Sequence, residues 1–112
     1  GIHCQFTYQL TTTPENETVR FTLYRLLQEL LNNVCKHAGA SEVTIILRQQ
    51  GEILHLEVSD NGVGIASGKM TGFGIQGMRE RVSALGGDLM LEKHNGTRVI
   101  VNLPTFLQQI AG

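Results

Sequence analysis

The chain has 112 residues, 41% of them hydrophobic and 17% charged, with a formal net charge of -1. That length suits one domain with a small core, and so weak a charge supplies no long-range field for nucleic acid or an anionic membrane, which excludes both as partners. No apolar run approaches the roughly 20 residues that span a bilayer, and the first residues lack the basic-then-apolar order of a signal peptide, so a soluble domain is expected.

Residues 3–10 set Cys4, Phe6, Tyr8 and Leu10 against His3, Gln5, Thr7 and Gln9, the alternation of a strand with one buried face. Cys4 and Cys35 lie outside any Cys-x-x-Cys or Cys/His ligand spacing and read as reduced, buried thiols suited to the cytoplasm. Thr13 can cap a helix, Pro14 suits its first turn, and Glu15 and Glu17 favour its positive end. Val19, Leu23, Leu26, Leu27, Leu30, Leu31 and Val34 then recur at three- and four-residue steps, predicting a core-packed helix that runs to about Ala38 and is ended by Gly39.

Val43, Ile45 and Leu47, then Leu54, Leu56 and Val58, alternate with polar residues and predict strands over 43–49 and 53–59 joined by a turn at Gln50-Gly51. Residues 65–72 are polar and glycine-rich and read as a loop. Ile75, Met78, Val82 and Leu85 mark a short helix closed by Gly86-Gly87, and residues 88–94 and 97–103 form a last hairpin turning at Asn95-Gly96. Two hairpins with one long and one short helix predict an α+β two-layer sandwich whose mixed, mostly antiparallel sheet is covered on one face. It is a single domain over 1–112, with a core of about 3–104 and a frayed tail at 105–112.

Glu29, Asn33 and Lys36/His37 fall on one stripe of the long helix, because four residues turn slightly more than one revolution. The stripe is either the wet face of the helix or a functional row. An amide oxygen is a hard neutral ligand suited to Mg²⁺ beside phosphate, and Asn33 can supply it. Asp60 ends a strand whose apolar residues point inward, so it is either a turn aspartate or a carboxylate that accepts from a purine amine at a pocket rim. Asp60-Asn61-Gly62-Val63-Gly64 and Gly72-Phe73-Gly74, about ten residues apart, let backbone approach a flat ligand and its charged tail. A helix opening at Ile75 offers free N–H groups to phosphate.

In order along the chain, Gln28 to Ala38 resembles the N box of sensor histidine kinases, Asp60 to Gly64 the G1 box, Gly72 to Val82 the G2 region, and Gly96-Thr97 the last glycine box. These are the boxes of the Bergerat-fold ATPases, the group that includes histidine kinases, gyrase, Hsp90 and MutL, and the resemblance covers residues from about 20 to 104. The Gly-Met-Arg-Glu-Arg-Val…Leu-Gly-Gly stretch is similar to kinases that partner NarL-type response regulators.

The resemblance implies an ATP- and Mg²⁺-binding catalytic domain, cytoplasmic, of an inner-membrane-anchored bacterial kinase. Asp60 would bond the adenine amino group, while Gly62 and Gly64 pass close to the base and Thr97 lines its pocket. Asn33 would ligate Mg²⁺, Glu29 would orient metal-bound water or assist proton removal, and Lys36 and His37 would lie near the phosphates. Gly72 and Gly74 would form the lid hinge and phosphate-facing turn, with Phe73 and Ile75 beside them against the nucleotide.

The pattern departs from the family in two places. His94-Asn95-Gly96-Thr97 carries only the second glycine of the usual last box, and Asn32 stands beside Asn33, which helical phase favours. His3, His37, His55 and His94 also lack the context of a phosphoacceptor, so the acceptor is expected on a dimerisation helix outside the chain, with little activity from the domain alone. An anti-sigma-factor-type serine kinase of the same fold is the alternative, and a nucleotide-sensing module that has lost catalysis a third.

Overall fold

The computed structural model describes residues 3–9, 16–34, 41–62, 75–93 and 96–105. Among them are five strands and two helices: β1 (His3–Gln9), α1 (Glu17–Asn33), β2 (Glu42–Gln50), β3 (Ile53–Asp60), α2 (Ile75–Ala84), β4 (Asp88–Lys93) and β5 (Thr97–Pro104). The strands form one sheet in the order β1-β2-β3-β5-β4, parallel between β1 and β2 and antiparallel elsewhere. The expected mixed sheet with a helical layer is the observed architecture.

Alternation decides which face is buried. Val43, Ile45 and Leu47 of β2, Leu54, Leu56 and Val58 of β3, and Val99, Val101 and Leu103 of β5 are buried with Leu89, and they share a core with Val19, Leu23, Leu26, Leu30 and Val34 of α1 and Met78 and Val82 of α2. Leu27 and Leu31 are only partly buried, packed against that core from its side. At about 25 cal/mol per Å² of apolar surface removed from water, this two-layer contact is the main stabilising term.

Three local expectations are corrected. Helix α1 starts at Glu17, capped by Asn16, whose backbone is extended and whose side-chain oxygen accepts the Val19 N–H at 3.1 Å. Asn caps as well as Thr does, so a later capping residue competes with Thr13; Thr13 and Pro14, like the expected end at Ala38 and Gly39, lie outside the described residues. β1 forms as expected, but all seven of its residues are exposed. Its register, Cys4 with Val43, Phe6 with Ile45 and Tyr8 with Leu47, puts those three on the helix-side face at the sheet's edge, where no described element covers them. Cys4 is therefore an exposed thiol rather than a buried one, while Cys35 lies outside the described residues.

The first hairpin turn matches closely, while of the second, expected at Asn95-Gly96, only Gly96 is among the described residues. β2 runs through Gln50, so the first turn is Gly51-Glu52. Helix α2 ends with Gly86 at φ 85, Gly86 N–H donating to Ser83 O at 3.0 Å and Gly87 N–H to Val82 O at 2.9 Å, the paired closure that a left-handed glycine permits. Thr105 N–H donates to Glu52 O at 2.8 Å, so the expected tail is anchored at its first residue.

Candidate functional site

One row of residues crosses one end of the sheet. Register pairs Cys4 with Val43, Val43 with Asp60, Asp60 with Thr97 and Thr97 with Lys93. Asp60 is in phase with Leu54, Leu56 and Val58, and Thr97 with Val99 and Val101, so both side chains extend the helix-side face by one step beyond the apolar core. The parallel β1-α1-β2 crossover carries α1 back antiparallel to its strands. Its C-terminal turn, with Asn33, therefore ends where β2 begins and β3 finishes at Asp60. Ala84, by contrast, leads through a tight turn to Asp88 at the other end of the sheet, paired with Asn102, which leaves Ile75 at the helix end remote from that connection.

Asp60 is oriented by its own turn. Gly62 N–H donates to Asp60 Oδ1 at 2.8 Å. A half-buried carboxylate has lone pairs enough to accept, beside that bond, one strong hydrogen bond from a ligand N–H. Thr97, its cross-strand neighbour, is 3% exposed. Gly96, φ 130, lies so close that a Cβ there would come within 2.0 Å of Asp60 O and 3.1 Å of Asn61 Cα. The incomplete last glycine box thus keeps the glycine that lets β5 enter against the Asp60 turn.

The described part of the helical stripe is not a wet face. Glu29 and Asn33 are half-buried, and Asn33 Nδ2 is fully buried without a hydrogen-bond partner. The side of α1 away from the core is instead Phe21, Tyr24 and Gln28, with Gln28 Nε2 donating to the Tyr24 hydroxyl at 3.0 Å. A buried amide donor without a partner costs free energy unless a ligand or water accepts from it. As oriented, it suits a phosphate oxygen; a half-turn of the amide would present its oxygen to Mg²⁺. Among the described residues, no group of three or more His, Cys, Asp or Glu is placed to hold a metal.

A cavity of about 500 Å³ opens at this end of the sheet, lined by Ser59, Asp60, Glu92, Lys93, Thr97 and Arg98. It joins Asp60 and Thr97 to residues on the sheet's other face. Lys93 escaped the sequence reading because only strand register, Lys93 opposite Thr97, brings it there. Of the predicted site residues, Glu29, Asn33, Asp60, Gly62 and Thr97 are described, as is the backbone of Ile75; Lys36, His37, Gly64, Gly72, Phe73 and Gly74 lie outside the described residues. His55 is a satisfied strand histidine, as expected, held by Asn102 Oδ1 and Glu57 Oε1 at 2.9 Å each.

The strand order, the single helical layer and an acidic turn at the sheet end define an α+β sandwich of the Bergerat ATPase type. The family model described as histidine kinase-, DNA gyrase B- and HSP90-like ATPase matches residues 18–106, and the chain belongs to that family; its nucleotide is ATP. Over 105 residues the chain is 49% identical to the signal transduction histidine-protein kinase/phosphatase UhpB of Salmonella typhimurium, covering 93% of this chain and 21% of that protein. It is 34% identical over 106 residues to the sensor histidine kinase LiaS of Bacillus subtilis, covering 91% and 29%. The chain thus spans well under a third of these relatives. Among solved structures, the histidine kinase domain of the blue-light activated kinase of Erythrobacter litoralis superposes with a TM-score of 0.71 at 25% identity, covering 91% of this chain and 52% of that one. The catalytic domain of histidine kinase ThkA shares the fold, with a TM-score of 0.67 at 18% identity and coverage of 94% and 82%.

Proposed function

We propose that this chain is the ATP-binding catalytic domain of a two-component sensor histidine kinase, holding Mg²⁺-ATP and presenting the γ-phosphoryl to a histidine on a dimerisation helix outside these 112 residues. A response regulator of the NarL type would receive the phosphoryl group. The matched relatives are named histidine kinases, which supports this reading over an anti-sigma-factor-type serine kinase. No described helix is long and apolar enough to cross a membrane; the domain would lie on the cytoplasmic side of a kinase anchored elsewhere in its length.

The observations that carry the reading are an oriented carboxylate at the end of the sheet and an orphaned buried amide on the last turn of α1, the helix end that the crossover returns to that side. Asp60 accepts from the adenine amine beside Thr97 and Gly62, and Asn33 faces the phosphates with Glu29 one turn behind. Bound Mg²⁺ would neutralise charge on the β- and γ-phosphates, and the domain contributes positioning rather than covalent chemistry. A lid of residues 65–74 and the Lys36/His37 pair would complete the phosphate side. The isolated domain binds ADP or ATP with little turnover.

Calorimetry with Mg²⁺ and ADP tests the assignment. Asp60→Asn replaces an acceptor with a donor against the amine and lowers affinity by about 10–100-fold. Asn33→Ala removes most of the Mg²⁺ dependence. Unaltered binding in both variants would sink the proposal.

A further inference from the structure

We infer that Asn61, which makes no contact with nucleotide in the scheme above, is the residue that positions Asp60 for base recognition; this rests on the reading of Asp60 as the adenine-binding carboxylate. Asn61 Oδ1 accepts from both Ser41 N–H and Glu42 N–H at 2.9 Å each, and Asn61 Nδ2 donates to Ser41 Oγ at 2.9 Å. Its own N–H donates to Glu42 O at 3.2 Å. Two backbone donors converging on one atom require an oxygen there, so the amide orientation follows from the network.

Four hydrogen bonds from one residue join two segments about twenty positions apart. One is the turn that carries Asp60 and Gly62. The other is the entry into β2, at the far end of the connection that begins beneath Asn33. Ser41 is itself tied down, since its carbonyl accepts from His3 N–H at 2.8 Å. On the opposite flank Gly96 packs directly on the backbone of Asp60 and Asn61, so the backbone that carries the carboxylate is held between a polar latch and a close contact, and Gly62 N–H sets the carboxylate itself. The side chain of Asn61 is exposed, so burial does not explain its placement; its bonds do. A carboxylate fixed within a few tenths of an ångström distinguishes an amine from a carbonyl on the base edge, and a loose one does not.

The test compares ADP with inosine diphosphate, which carries a carbonyl in place of the amine, by calorimetry with Mg²⁺ on the 112-residue chain. Wild type prefers ADP. In Asn61→Ala that preference falls about tenfold through loss of ADP affinity, with inosine diphosphate binding nearly unchanged. Asn61→Asp, whose two oxygens can accept both amides and the Ser41 hydroxyl proton, restores the preference even if its added charge weakens both nucleotides alike. Thermal unfolding without ligand checks that the variants fold; if Asn61→Ala does not, Asn61→Ser, able to reach at most one of the two amides, carries the comparison with a smaller fall. A wild type indifferent to the two bases would remove the Asp60 reading itself. A discriminating wild type whose ratio survives in Asn61→Ala, or a loss equal for both nucleotides, would overturn only the role of Asn61.

Discussion

On its helix side β3 presents Leu54, Leu56 and Val58, all buried; on its other side the same strand presents His55, Glu57 and Ser59, half-buried and polar. The first series packs under two helices. The second is held by local bonds, His55 to Asn102 and Glu57, while Arg98 and Glu92 pair farther along the same face. Asp60 belongs to the first series by phase, not to the second by chemistry. The functional carboxylate is therefore the next member of the core's own alternation, placed where the helical cover ends, and whatever fixes the core fixes its direction. The second face carries half-buried or exposed side chains apart from Ile100, and its Ser59, Glu92 and Arg98 line the cavity beside Asp60.

The largest test of that difference is Leu56→Ala. Leu56 is 1% exposed at the centre of the sheet, opposite Leu47 and Val101. Truncation should cost roughly 2–5 kcal/mol in denaturant unfolding, the transfer of the lost methyls plus the cavity they leave. A loss under about 1 kcal/mol would mean that the helix-side layer is not the stabilising one.

Gly96→Ala is next. At φ 130, with Asp60 O only 2.0 Å from the new methyl, the turn has to move. Strain of this kind costs about 1–3 kcal/mol. Because the clash falls on the Asp60 backbone, ADP affinity measured by calorimetry should drop by more than stability alone explains. A variant that binds ADP like wild type would separate the last glycine from the site.

Much of this was legible in the chain because alternation and glycine placement are local signals. All five strands are legible within one residue at each end, α2 is bounded by Ile75 and Gly86, and Asp60 is marked by its position after an inward-facing series. What escaped depends on partners distant in sequence. Period-two alternation shows which residues of β1 share a face, but not whether anything lies over that face, so Phe6 and Tyr8 were expected inside and stand 53% and 54% exposed, their rings stacked on each other with centroids 6.2 Å apart. The role of Asn61 has no local signal, because its partners, Ser41 and Glu42, become neighbours only through the pairing of β2 with β3. Lys93 reaches the site row by register alone.

The smallest effect is expected on the bare face, at Arg98→Ala. Arg98 donates to Glu92 Oε2 from Nε at 3.0 Å and from a second guanidinium nitrogen at 2.6 Å, a geometry that elsewhere signals strength. The side chains are nonetheless 49% and 43% exposed, where water and salt screen the attraction and side-chain entropy offsets it. The hydrogen bond that Arg98 donates to Glu92, and then the Glu92 charge, raise the Arg98 pKa above its ordinary value. A raised folded value means that this contribution is complete at every pH below the ordinary guanidinium range and is lost only in stronger alkali, so Arg98 adds no pH dependence between about pH 5 and 9. Denaturant midpoints of wild type and Arg98→Ala should therefore coincide within error across that range, at low and high salt alike. A salt-sensitive shift would mean that charge pairs on the uncovered face hold the sheet together alongside the apolar layer, and the contrast between the two faces of β3 would then be one of chemistry but not of stability.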